Sequence, residues 1–145
     1  MAHKLTHLSA VELARLVRTK EASPVEVVEA HLAAIQKINP AVNAFCTVAA
    51  EKALVWAREA ERAVKKRAKL KPLHGVPVAI KDLTPTADIR TTFGSTLFRD
   101  HVPTEDAEVV RRLKVCDRLG DQQEKDRNGD SGLHHRDVSG RQKPF

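Results

Sequence analysis

Apolar residues recur at helical spacing through most of the first seventy positions. Ala10, Leu13, Leu16 and Val17 share one face of a 3.6-residue repeat. Ser9 and Glu12 stand just ahead, three apart, the spacing at which a capping hydroxyl and a carboxylate satisfy each other's backbone N–H groups. A second start follows in "SPVE": Ser23 caps, Pro24 takes the first helical position and Glu26 completes the box. Val28, Leu32 and Ile35 give that helix its stripe, and Asn39-Pro40 is predicted to end it. "NAFCTV" reads as a connector. A third helix is predicted from about Ala49 to Ala68, with Ala50, Ala53, Leu54, Ala57, Ala60 and Val64 on one face and Glu61–Lys65 as a supporting pair. Trp56 lies off this stripe and is expected to cover a neighbouring helix rather than serve as a ligand platform.

Beyond residue 71 the pattern changes. "KPLHG" is a turn, and "VPVAI", Val76–Ile80, is an apolar β-branched run of strand length. Its lack of alternation predicts a strand buried on both faces. A long polar stretch rich in Thr, Pro and Gly follows, of the kind that often carries function. The last predicted helix is "TEDAEVVRRLK": Thr104 as cap, Glu105 and Asp106 at the positive end, and Val109, Val110 and Leu113 as the apolar face. One strand is not a sheet, because its ladder groups need partners that this chain scarcely supplies.

Composition divides the chain. Of 145 residues, the last 32 hold only six apolar residues against 13 charges, too little burial to offset the entropy of ordering them. Residues 1–114 are expected to be the foldable portion and residues 115–145 a disordered tail. The net charge is +6, with one dense cluster at Lys65-Lys66-Arg67, Lys69 and Lys71. Such a cluster serves either as a patch for RNA or an acidic surface, or as a solvated helix end favoured by the helix dipole. No aromatic residue interleaves with it, which favours the helix end, so nucleic acid is not expected as a partner. Cys46 and Cys116 have neither metal nor redox spacing and fit a reducing, cytoplasmic setting. The N-terminus lacks a signal-peptide core, and no apolar run approaches the roughly 18 residues of a membrane span. The histidines are scattered, with only His134-His135 adjacent, so neither a metal site nor a cofactor is expected.

The candidate chemistry rests on Lys81, which ends the apolar run. A lysine at the mouth of a buried strand is expected to be partly desolvated, and a desolvated lysine gives up its proton more readily and serves as a general base. The alternative is a side chain that reaches to solvent or pairs with a nearby Asp. The residues alone leave both open.

"LHGVPVAIKDL", "TTFGS" and "VPTEDAEVVRRLK", preceded by "SPVEVVEAHLAAIQKINPAVNAF", together resemble the N-terminal part of the amidase signature family. The resemblance covers about residues 5–114. It implies an α/β fold with helices around a mixed sheet, incomplete in this chain. It also implies a parent activity of hydrolysing carboxylic amide C–N bonds, or of supplying ammonia from an amide to a tRNA-bound acyl group. The family uses a serine nucleophile, a second serine on a cis peptide bond and a lysine. Lys81 matches that lysine, which stays neutral there and draws a proton through the cis-serine. Backbone N–H groups of a Gly- and Ser-rich loop hold the oxyanion. Asp82 completes the family's "KD" pair and is expected to orient the loop rather than act as a base. Ser95 matches the pattern without a catalytic role. Asp88 departs from it, since glycine is usual there; if the backbone needs φ > 0, Asp tolerates it better than most residues.

The resemblance stops near residue 114. Ser131 in "GDSG" and Ser139 in "VSGR" are the only serines beyond it, and neither lies in the family's serine loop. A frame shift would account for the tail, and is the expected origin of residues 115–145. Shifted by one base, Arg127-Asn128-Gly129-Asp130 permits Glu-Met-Gly-Thr, and Ser131-Gly132-Leu133-His134-His135 permits Pro-Ala-Ser-Thr-Thr. These resemble the segment that family members carry after the "VVRRLK" helix. The chain is therefore expected to hold an amidase base without its nucleophile or cis-serine and to be inactive alone. Its parent's substrate would be a small-molecule amide. With helices lacking their sheet, it is expected to be loosely packed and to self-associate through exposed apolar faces. The alternative is a non-catalytic helical module binding RNA or a full-length amidase partner.

Overall fold

The computed structural model describes residues 2–117. Five helices form in chain order: α1 Ala2–Leu5, α2 Ala10–Thr19, α3 Pro24–Val42, α4 Ala50–Lys65 and α5 Glu108–Asp117, with a 3-10 turn at Thr96–Phe98. Both capping boxes form as the sequence predicts. The Ser9 N–H donates to Glu12 at 2.8 Å and Glu12 N–H to the Ser9 hydroxyl at 3.3 Å; the Ser23–Glu26 pair repeats this at 2.8 and 3.0 Å. Each box satisfies N–H groups that would otherwise lack a partner.

Helix α3 corrects one expectation. It runs through Asn39-Pro40 and ends at Asn43, whose φ of 48° is left-handed and whose N–H reaches the Asn39 carbonyl at 2.7 Å. Pro40 removes one N–H close to the helix end, where little ladder remains to lose. The Asn39 side chain then fixes the exit, accepting from Phe45 N–H at 2.8 Å and donating to the Phe45 carbonyl at 3.1 Å.

Leu13, Ala14, Val17, Ala22, Val27, Val64 and Val76 make the core, with Leu5, Leu8, Leu16 and Leu70 against it. Helix α3 packs on α4, and α1 on α3. The buried face of α4, Ala57, Ala60, Ala63 and Val64, is small, which lets the backbones approach closely. The turn after α4 depends on the same closeness. Gly75 has φ +76°, and a Cβ there would lie 2.9 Å from Pro24 Cγ. His74 is buried beside it with Nε2 3.0 Å from the Ala60 carbonyl, so that nitrogen carries the proton.

Val76–Ile80 is extended, but it has no strand partner among the described residues, where the one β-bridge joins Thr86 and Ile89. The expected strand, and with it the mixed sheet, is therefore absent from this part of the chain, which is helical. A strand is defined by its ladder, and Val78 and Ala79 lie exposed where a neighbour would pair. Helix α5 also differs, opening at Glu108 rather than at a Thr104 cap. The preceding residues are held by the loop instead: Ala107 N–H donates to the Pro85 carbonyl at 2.9 Å, and Asp106 accepts from Ala87 N–H at 2.8 Å. At its far end α5 passes residue 114 and continues to Asp117. The expectations of a disordered, frame-shifted tail fall otherwise on residues 118–145, outside those described.

Candidate active site

Lys81 follows directly on the extended run, and its side chain is exposed. The desolvation expected from sequence is thus not met among the described residues, where no strand lies beside Val76–Ile80. Among the described residues its ammonium meets no carboxylate. The backbone around it is nonetheless fixed, with the Lys81 carbonyl accepting from Thr84 N–H at 2.9 Å.

Asp82 makes the strongest local anchor. Oδ1 accepts from Thr92 N–H at 2.8 Å, Oδ2 accepts from the Thr92 hydroxyl, and the Asp82 carbonyl accepts from Phe93 N–H at 3.0 Å. Thr92 Oγ1 in turn accepts from Gly94 N–H at 3.3 Å. Asp82 therefore ties the "KDL" turn to the "TTFG" loop, where Phe93 and Gly94 turn back through φ of 52° and 69°. This is the orienting role read from the sequence. The Thr92 hydroxyl foremost, then the Thr92 and Gly94 N–H groups and the Arg90 charge, hold the Asp82 carboxyl below its ordinary 3.8. A depressed carboxylate contributes its stabilisation above the unfolded value and loses it only as pH falls through the lower, folded value. In an acid titration followed by NMR, the Thr92 amide resonance is expected to hold its position through pH 3.8 and move only below it. A midpoint at or above 3.8 would mean that the clasp is not formed in solution.

Other residues brace the rest of the loop. Arg90 donates to the Cys46 carbonyl at 2.5 Å, to the Thr47 hydroxyl at 3.2 Å and to the Arg99 carbonyl at 3.1 Å, joining the loop to the connector after α3. Lys52 reaches the Asp88 carbonyl at 2.6 Å. Asp88 itself has φ 59°, the left-handed conformation that its departure from glycine has to tolerate. Phe93, Phe98 and His101 cluster with ring centroids 5.2 to 5.7 Å apart.

A cavity of about 180 Å³ opens beside the extended run, lined by Ala53, Trp56, Val76, Val78, Ile80 and Leu113 among others. Lys81 comes one residue after Ile80. At the other side Lys114 bridges to both Asp106 oxygens, at 2.7 and 2.6 Å, and its ammonium lies 5.7 Å from the Trp56 ring centroid. Trp56 thus faces α5 and the cavity, the covering position expected of it. Sequence reasoning found Lys81 and Asp82 but missed Thr92, Arg90 and the Lys114–Asp106 bridge. No spacing rule joins a carboxylate to a threonine ten residues away, so only the folded loop reveals that pair.

Two solved structures with a similar fold are described as amidases. A bacterial aryl acylamidase of the amidase signature enzymes superposes with a TM-score of 0.72 at 28% identity, over 77% of this chain and 24% of that one. A structure described as fatty acid amide hydrolase gives a TM-score of 0.67 at 27% identity, over 81% and 21%. The chain belongs to the amidase family, whose model matches residues 26–117. Among curated relatives, a glutamyl-tRNA(Gln) amidotransferase subunit of Carboxydothermus hydrogenoformans is 41% identical over 111 residues, 77% of this chain and 23% of the relative. The corresponding subunit from Salinispora tropica is 44% identical over 112 residues, with the same two shares. The chain thus spans about a quarter of the length of the relatives it matches. Among the described residues no helix is long and apolar enough to cross a membrane.

Proposed function

We propose that this chain carries the lysine-bearing quarter of an amidase, whose parent activity is hydrolysis of the C–N bond of a small carboxylic amide. Lys81 is its proton-accepting residue. The observation that carries this reading is the position of Lys81: it ends the apolar run, directly follows Ile80 of the cavity lining, and has its backbone held by the Asp82–Thr92 clasp within a family-matched segment.

A base alone forms no acyl intermediate, because the family's chemistry needs a nucleophile to attack the carbonyl and donors to hold the oxyanion. The purified chain is therefore expected to show no turnover of an aryl amide. Turnover that disappears in Lys81→Ala would overturn this. The parent function is tested by a chimera in which residues 26–117 replace the matching segment of the aryl acylamidase. A folded chimera that hydrolyses aryl amides supports the reading, and a folded but inert one counts against it.

The exposed apolar side chains support association of the chain with itself. Val78 is 49% exposed on the unpaired run, and Val109 is 55% exposed on α5. Light scattering on the purified chain is expected to give a mass above the monomer that grows with concentration. A monomeric mass at all concentrations would exclude it. A docking role on a full-length amidase partner would draw on these same faces.

A further inference from the structure

The sequence presents its basic cluster as the end of one helix. In the folded chain it belongs to a larger surface. The C-terminal ends of α2 and α4 meet around one shallow hollow, lined by Arg18, Lys20, Val64, Arg67, Ala68 and Leu70. Arg18 and Lys20, more than forty residues earlier in the chain, thereby join Arg67, which Lys66 and Lys69 flank in sequence, and all five are exposed.

Nearby carboxylates do not neutralise them. Glu21 is engaged by Arg15 at 2.8 Å and by the Thr19 hydroxyl at 2.7 Å. Glu61 is engaged by Lys65 at 2.7 Å. Among the described residues, Arg18, Lys20, Lys66, Arg67 and Lys69 have no ion-pair partner.

The helix dipole explains cations near a helix end, but it does not explain which backbone positions they occupy. Lys20 and Arg67 are left-handed, with φ of 64° and 55°. Lys20 is the C-cap of α2, and Arg67 follows the C-cap of α4. Glycine is the least strained residue in that conformation and the usual choice where a helix ends this way. Two helix ends that converge on one hollow both carry a long cationic side chain there instead. Among the described residues the hollow has no aromatic side chain on which a base could stack, and its apolar floor is recessed, with Val64 buried and Ala68 and Leu70 half-buried, so they offer nothing to insert into a bilayer.

We propose that this two-helix surface binds the phosphate backbone of a nucleic-acid duplex, without reading its sequence. The partner fits because a duplex presents closely spaced phosphates to several flexible cations at once, and neutralising them releases counterions. The surface lies on the α2/α4 ends and does not depend on the assignment of Lys81.

The test is fluorescence anisotropy of the full chain with labelled duplex RNA and duplex DNA of unrelated sequences, across a salt series. Binding is expected at micromolar concentration in low salt. The log–log salt slope should approach about −4.5, at roughly −0.9 per phosphate neutralised by five cations. The decisive variant is Lys20→Gly with Arg67→Gly, which removes two charges while giving each position the residue its backbone favours. Its thermal melt is expected to stay at or above the parent's, its slope to fall to about −2.7 and its low-salt affinity to drop at least about tenfold. Lys66→Gln with Lys69→Gln, which leaves both left-handed positions untouched, should produce a similar loss. Unchanged affinity and slope in both variants would overturn the proposal. So would equal binding to a poly-glutamate peptide of matched charge, or to phosphatidylserine vesicles in preference to duplex, since either assigns the surface to another partner.

Discussion

Lys81→Ala, placed in the amidase chimera, is expected to lower kcat by about a hundred- to ten-thousand-fold with little change in KM, the range over which a positioned acid–base group contributes. The side chain leaves the end of the apolar run without a bond to any described neighbour, so on the proposed reading its loss removes a proton acceptor and no tie to a described residue. The clasp that fixes the surrounding backbone belongs to Asp82 and Thr92 and is untouched. Lys81→Arg is expected to be as inactive, because a guanidinium does not give up its proton at any working pH. The pH profile provides a separate reading: the limb that reports deprotonation of the base should vanish in Lys81→Ala and not merely shift. A folded variant that keeps kcat within about tenfold of the chimera, with the limb intact, would remove Lys81 from the mechanism.

Gly75→Ala is expected to destabilise the chain by about 2–5 kcal/mol. Part of this is conformational, since an L-residue held at φ +76° costs roughly 1–2 kcal/mol. The rest is steric, typically about 1–3 kcal/mol for overpacking. The new Cβ would lie 2.9 and 3.0 Å from Pro24 Cγ and Cβ and 3.4 Å from Val17 Cγ1. Neither neighbour has room to give. Pro24 has a rigid ring at the first position of α3, and Val17 and Pro24 are among the most completely buried side chains in the structure. Gly94→Ala is the control: φ there is +69°, but nothing lies within 4 Å, so only the conformational part should appear. Urea unfolding followed by circular dichroism measures both. Equal losses for the two variants would show that the Gly75–Pro24 contact is absent in solution.

The helical half of the fold could be read from the sequence because its signals are local. Ser9–Glu12 and Ser23–Glu26 specify their helix starts from three-residue spacings, and both form. What failed depended on distant residues. Pro40 reads as a stop, yet Asn39 and Asn43 together carry the turn beyond it. "VPVAI" has the composition of a buried strand, but composition cannot supply the ladder, and among the described residues the run stays unpaired. Thr104 reads as a helix cap, but Pro85 and Ala87 hold the residues ahead of α5 in the loop. The site divides in the same way. Lys81 and Asp82 stood out by position and by resemblance, whereas Thr92 and Arg90 act on partners that only the folded loop brings near.

The order of the core along the chain sets a timetable. Every member of the main cluster, and every apolar residue packed against it, lies between Leu5 and Val76. A ribosome adds about 5–20 residues per second, and a helix forms in roughly a microsecond. Once Val76 is clear of the exit tunnel, the bundle can close while the residues from Pro77 onward are still being delivered, a lead over Lys81 of roughly 0.25–1 s against a microsecond for a helix. Lys81 and its loop therefore emerge onto a platform that is already assembled. The contacts that hold them, Arg90 to Cys46 and Lys52 to Asp88, run from the late loop back to α4 and the connector ahead of it.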